Sequence, residues 1–297
     1  MTAGVEFCGL WLAHPIVNGS GTFDAIAARR AFGDALLEAF PFSAFVSKTI
    51  TLQPRAGNPP PRLWETPAGM INSIGLPNRG LAGYVEHDLP ELAQLPVPLI
   101  TNVMGSTGAE LAELVEACDA QPDIAAIELN VSCPNVKTGL DIGADPRELE
   151  AVVRDLRPRV TKPLIVKLTP NTSSVAACAS ACEAAGADAV SLINTLRAFA
   201  LKPAQPREPW LGGGTGGLSG PAVRAVALAQ VSAVSATVSI PIVGMGGVQS
   251  ATHARDFLSA GATLVAVGTE NFRDPAAGCR IAAGLFEIAG KTGIFFA

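Results

Sequence analysis

Residues 128–135 read Glu-Leu-Asn-Val-Ser-Cys-Pro-Asn and set the thiol of Cys133 among short amide and hydroxyl side chains. A thiolate is a base and a nucleophile, and asparagine amides can pair both the donor and the acceptor edges of a polar ring. Free cysteine is among the most buried residue types, so a small core residue at a strand end is the ordinary explanation of an isolated one. Asn130, Ser132 and Asn135 argue against it here, because three polar groups beside a thiol make a poor core. The apolar run 124–127 just before reads as a buried strand, and Pro134 stops it, so Cys133 should open a loop. In a parallel α/β enzyme, that end of a strand is where chemistry sits.

Further polar residues recur at the same kind of place. Eight short apolar runs can be read along the chain, at 15–18, 44–48, 99–103, 125–130, 164–168, 189–194, 241–244 and 263–268. Asn18, Lys48, Asn102, Asn130, Lys167 and Asn194 sit at or next to the ends of six of them. Lysine and asparagine are seldom buried without a partner, so six of them at equivalent positions imply one shared polar ligand. After the seventh run comes Gly244-Met245-Gly246-Gly247-Val248, and after the eighth comes Gly268-Thr269. Glycine lets backbone N–H groups approach an anion, and a following helix N-terminus favours negative charge. Barrel enzymes often hold a phosphate at these two loops, although glycines that merely make tight turns would look the same.

The elements that must position these groups alternate. Helical patterns at 109–120, 146–156, 173–185, 221–235 and 251–260 separate the apolar runs, several behind Ser, Thr, Asp or Pro start signals. Eight strand–helix units in about 250 residues predict an α/β fold, a (β/α)₈ barrel, with a doubly wound open sheet as the alternative. Residues 5–12 are expected to form a short hairpin capping the barrel bottom. No linker or low-complexity segment is visible, so 1–297 reads as one domain. Two long connections, 51–72 and 196–217, are expected to be lids or binding loops over the mouth.

Composition narrows the classes further. The 297 residues are 48% hydrophobic and 16% charged, enough to bury a large core, and net charge is −5 with no basic run, which argues against nucleic acid. The basic start and apolar core of a signal peptide are missing, and so is an apolar stretch of membrane-spanning length. Six cysteines without a CxxC pair suggest neither a disulfide framework nor a zinc site, and a cytoplasmic location is expected. His14, His87 and His253 have no catalytic neighbour in sequence. Gly212 to Gly217 matches G-x-G-x-x-G, but no strand precedes it, and Gly290-Lys291-Thr292 lacks the first glycine of a P-loop.

Longer segments carry a resemblance. They are 47–51 (Ser-Lys-Thr-Ile-Thr), 57–62 (Gly-Asn-Pro-Pro-Pro-Arg), 65–70 (Glu-Thr-Pro-Ala-Gly-Met) and 72–76 (Asn-Ser-Ile-Gly-Leu). Then follow 130–135, 166–171 (Val-Lys-Leu-Thr-Pro-Asn), 193–196 (Ile-Asn-Thr-Leu), 215–222 and 244–248. In this ordered set, from about residue 5 to 275, the chain resembles the class 1 dihydroorotate dehydrogenases, most closely class 1B. A cysteine at 133 itself favours class 1, since class 2 relatives use serine there.

The resemblance implies FMN in the barrel mouth. Ser20, Lys48, Thr49, Asn102, Asn130 and Lys167 would surround it from one side, and Ile193, Gly220, Gly246, Gly247, Gly268 and Thr269 from the other. It implies a pyrimidine held by Lys48, Asn130, Asn194 and Thr195 and by Asn72, Ser73, Ile74, Gly75 and Leu76. Lys167 suits the N1–O2 edge of the flavin, where it would stabilise the reduced anion. The implied reaction oxidises (S)-dihydroorotate to orotate in the synthesis of UMP. Cys133 takes the proton from ring carbon 5, and hydride leaves carbon 6 for flavin N5. Class 1B further implies a separate FAD and iron–sulfur subunit relaying electrons to NAD, in a homodimer or heterotetramer, whereas fumarate would be a class 1A acceptor.

The chain departs from the class 1B pattern at Arg197-Ala198, where a Met-Gly pair is expected, at 211–214, and at Pro77 and Arg79. Two other readings stay open from residues alone. Another FMN-dependent dihydropyrimidine dehydrogenase would share the barrel but would not need a substrate carboxylate. A non-redox phosphate-binding lyase or synthase would explain the glycine loops, but neither Cys133 nor Lys167.

Overall fold

The computed structural model describes residues 4–131, 142–203 and 205–292. Eight parallel strands form its centre: β1 (Ile16–Asn18), β2 (Phe45–Val46), β3 (Leu99–Val103), β4 (Ile124–Asn130), β5 (Leu164–Lys167), β6 (Ala189–Leu192), β7 (Ile242–Met245) and β8 (Leu264–Val267). Each pairs with the next from β2 to β8, and β8 returns to pair with β1 through Val265–Ile16 and Val267–Asn18. First and last strands side by side make a barrel and exclude the doubly wound alternative. Thr107, Asp145, Ser174 and Ser250 cap the helices Gly108–Asp119, Pro146–Leu156, Val175–Ala184 and Ala251–Ser259 by accepting from backbone N–H groups of the first turn.

Side chains two apart share a face of a strand, and the inward face here is apolar at the bottom. Val17, Val46, Ile100, Ala126, Ile165 and Ala189 belong to one buried cluster with Phe7 and Leu12. The last two come from the hairpin Val5–Phe7 and Leu10–Leu12, which closes the barrel bottom as expected.

The seam between β1 and β2 is closed in part by a side chain. Ser43 N–H donates to Ile16 C=O at 3.0 Å, and the Asn18 amide does the rest. Its Nδ2 donates to Val46 C=O and its Oδ1 accepts from Val46 N–H, both at 2.8 Å. The sequence pattern places Asn18 among the residues facing a ligand. The structure instead buries it fully and uses it in place of a strand residue, because buried backbone groups must be paired. Asn18→Ala orphans both Val46 groups and is expected to destabilise the fold by about 2–6 kcal/mol, at about 1–3 kcal/mol for each group. Denaturant unfolding checks this, and an unchanged midpoint would mean that the seam closes without the amide.

The two long connections are not irregular lids. Leu63–Thr66, Gly69–Asn72, Thr215–Ser219 and Leu196–Phe199 pair into one antiparallel sheet over the mouth. Partners such as Asn72 and Gly217 are far apart in sequence, and the strands are only half-buried, so apolar alternation is weak. Arg197 and Ala198 therefore lie in a strand, not in a loop. Among the described residues no helix is long and apolar enough to cross a membrane, and no cluster of three or more metal-ligating side chains occurs.

Candidate active site

Above the apolar interior, the C-terminal strand ends open into a cavity of about 460 Å³. Its walls come from the strand ends, from the small sheet, and from the loops after β7 and β8. Ser20, Lys48, Thr49, Asn130, Lys167 and Ile193 line it, as do Gly220, Gly246, Gly247, Gly268 and Thr269 on the far side. Asn72, Ile74, Gly75, Leu76, Asn194 and Thr195 complete the wall. A second cavity of about 470 Å³ lies beside it, between the helix Ala25–Phe32 and residues 77–92, and shares Gly21, Lys48 and Thr49. It has neither the glycine loops nor the asparagines of the wall, so the first cavity is the candidate site.

The asparagines are oriented by one another. Asn130 Nδ2 donates to Thr49 Oγ1 at 3.3 Å, Asn194 Nδ2 donates to Asn130 Oδ1 at 3.4 Å, and Thr195 N–H donates to Asn194 Oδ1 at 2.8 Å. Asn72 Nδ2 donates to Gly217 C=O at 3.3 Å, which ties it to the mouth sheet. Ser20 Oγ donates to Ser47 C=O at 2.8 Å. Lys48 stands at the open side of the cavity. Partial loss of hydration there lowers its pKa, with Asp24 opposing and Arg62 adding to the effect.

Lys167 is only 6% exposed and makes no ion pair among the described residues. A buried ammonium is costly unless an anion or a strong acceptor meets it. Elsewhere in the cavity wall, glycine is required. Gly220 and Gly247 take φ of 95° and 71°. A Cβ on Gly247 would come within 2.8 Å of Gly220 C=O, and one on Gly246 within 2.8 Å of Ala227 Cβ. The two loops thus present bare backbone to the cavity, beside the short helix Thr269–Phe272. A glycine cradle and a buried cation in the wall of one cavity fit a polar ligand that carries negative charge.

Two expected contacts stand behind the wall. Ser73 is fully buried and receives Asn58 Nδ2 at 3.0 Å, so it fastens the 57–62 segment to the 72–76 segment. Asn102 is fully buried below the cavity floor, and its Nδ2 donates to Glu128 Oε2 at 2.5 Å. Cys133 lies outside the described residues. Sequence reasoning misses Glu128, Gly19, Thr22, Leu63 and Phe272 as parts of the site or its support. A signal for Glu128 does exist: it is the one charge in the apolar run 124–129, two residues before Asn130 and on the same face. The rejected motifs fall elsewhere. Residues 215–217 belong to the mouth-sheet strand Thr215–Ser219, and Gly290-Lys291-Thr292 ends the helix Ala277–Thr292.

Comparison with known proteins gives the same family. The family model described as Dihydroorotate dehydrogenase matches residues 2–288. The chain is 46% identical over 291 residues to the "Dihydroorotate dehydrogenase B (NAD(+)), catalytic subunit" of Geotalea daltonii, covering 98% of this chain and 94% of that protein. It is 44% identical over 292 residues to the protein of the same name from Geobacter sulfurreducens, with the same coverages. The crystal structure of DHODH from Eimeria tenella, solved in complex with ferulenol, superposes with a TM-score of 0.80. It covers 99% of this chain and 86% of that one at 21% identity, which speaks for the fold alone. With the barrel, the glycine cradle and the asparagine wall on the same chain, it belongs to the dihydroorotate dehydrogenase family.

Proposed function

We propose that this chain, as one barrel domain over 1–297, oxidises (S)-dihydroorotate to orotate in pyrimidine biosynthesis with FMN as its cofactor. One observation carries the reading. A single cavity is lined both by Lys167, buried and met by no carboxylate among the described residues, and by the Gly220–Gly246–Gly247 cradle. When bound, FMN supplies a two-electron acceptor for the hydride from ring carbon 6. The cradle and Thr269 would hold its phosphate, and Lys167 its ring edge. Asn72, Asn130 and Asn194 offer both amide donors and acceptors to the pyrimidine, and Lys48 offers a cation to its carboxylate. Cys133, from the sequence motif, takes the proton of ring carbon 5. A need for the substrate carboxylate separates this reading from that of a uracil or thymine dehydrogenase.

The relatives' names, with "catalytic subunit" and NAD(+), support a partner. The proposal therefore includes an FAD and iron–sulfur subunit as the route to NAD, in a heterotetramer built on a homodimer of this chain, in the cytoplasm. The purified protein is expected to be yellow and to release one mononucleotide per chain on heating or acid treatment. Release of FAD, or a colourless protein without FMN affinity, would overturn the cofactor assignment. A yellow protein whose flavin dihydroorotate does not bleach, while dihydrouracil does, would overturn the substrate.

A further inference from the structure

The two glycine loops of the cavity are joined to each other behind its wall. Gly246 and Gly247 follow β7, Gly268 and Thr269 follow β8, and all four line the cavity. Two residues beyond Gly247, Gln249 Nε2 donates to Glu270 Oε2 at 2.8 Å, and Glu270 comes directly after Thr269. Arg280, from the helix Ala277–Thr292, closes a triangle. Its Nη1 donates to Gln249 C=O at 3.0 Å, and its Nη2 stands 3.6 Å from Glu270 Oε1. The Glu270 side chain is only 12% exposed. Both ends of the bond are held in turn. Gln249 N–H donates to His253 Nδ1 at 3.3 Å, and Ser250 beside it caps the helix Ala251–Ser259. Next to Glu270, Asn271 Nδ2 donates to Val267 C=O at 2.9 Å and to Thr22 Oγ1 at 3.2 Å.

Charge does not explain a carboxylate at this place. An anion held by the glycine loops would be repelled by Glu270, and Arg280 offsets only part of that. Geometry does explain it. Backbone N–H groups hold an anion only while they converge on it, and loops from two separate strands need something to set their spacing. We infer that Glu270 is a positioning residue: through Gln249 it sets the spacing of the two glycine loops, and with it the cavity's grip on the phosphate of the cofactor. The inference rests on FMN being that cofactor. Neither Glu270 nor Gln249 lines the cavity, so both act through the loops and not by contact. The same bond could also merely tie the loops into the fold, and the experiment must separate the two roles.

The test compares FMN with riboflavin, the same flavin without its phosphate. Both are titrated into the full-length apoprotein and followed by flavin fluorescence. Glu270→Ala and Gln249→Ala remove the bond from its two sides. Each should weaken FMN about tenfold, the order of one hydrogen bond to a charged group, and leave riboflavin within about twofold of wild type. The double variant should stay within about twofold of the weaker single variant, because one bond is lost only once. Glu270→Gln keeps an oxygen for the Gln249 amide while removing the charge, so its FMN affinity should stay within about threefold of wild type.

FMN and riboflavin weakened alike in Glu270→Ala would make the bond a tie of the fold and overturn the positioning role. An unchanged FMN affinity in Glu270→Ala overturns it equally, as does a loss that Gln249→Ala does not share. Tighter FMN binding in both Glu270→Ala and Glu270→Gln would mean that the carboxylate acts by its charge, against the inference. Should Glu270→Ala fail to fold, Gln249→Ala removes the same bond and decides on the same ratio of FMN to riboflavin. A wild-type apoprotein that binds neither flavin overturns the cofactor assignment itself. That result is read before any variant is made, so the two failures are distinguishable.

Discussion

Cys133→Ala is expected to keep FMN and to bind orotate, yet to reduce its flavin with dihydroorotate about 10²–10⁴-fold more slowly, the usual effect of removing a positioned general base. Cys133 is not among the residues proposed to hold FMN, so the loss is expected on proton removal and not on cofactor binding. Stopped-flow bleaching of the flavin under anaerobic conditions reads that step alone. A thiol must lose its proton to act as a base, so flavin reduction in the wild type should rise toward alkaline pH as the thiolate forms. Cys133→Ser should retain a residue of activity displaced to higher pH, because a hydroxyl is a far weaker acid. Flavin reduction by Cys133→Ala at a rate close to wild type would show that the thiol is structural.

The isolated chain should pass electrons from dihydroorotate to an artificial dye and hardly at all to NAD. Hydride transfer to NAD needs a site that positions the nicotinamide against a flavin. The chain's single G-x-G-x-x-G runs into a strand of the mouth sheet, not from a strand into a helix, so it does not build a dinucleotide site. Adding an FAD and iron–sulfur subunit from the same source should restore NAD reduction. Fast NAD reduction by the chain alone would refute the need for a relay. Fast fumarate reduction would move the protein to class 1A behaviour, which bears on the Arg197-Ala198 departure in the mouth sheet.

Much of the site is legible in the chain because it is built from strand ends. Asn130 and Lys167 each terminate a short apolar run and Asn194 follows one closely, and runs of this kind are local properties of the chain. The paired glycine loops are legible for the same reason, being short and immediately after strands. Glu128 is visible as a charge in an apolar run, but its meaning is not, because its partners Asn102 and Ser191 stand 26 and 63 residues away. Asn18 shows the opposite limit. As a polar strand end it looks like Asn130, and only the neighbouring strand decides that its amide closes a seam.

The order of the barrel strands, five of the helices and the residue types at the strand ends could be read along the chain, whereas the helices Ala25–Phe32 and Ala277–Thr292 were not. The legible features follow from periodicity, capping and glycine chemistry, which act over a few residues. Packing in three dimensions selected which polar ends face the cavity. Asn102 and Ser73 went behind the wall while Asn130 and Asn72 lined it, because a side chain's direction depends on what packs beside it. Packing also brought segments 51–72 and 196–217 together as a sheet, since unpaired backbone in each could be satisfied by the other once the barrel had set them side by side.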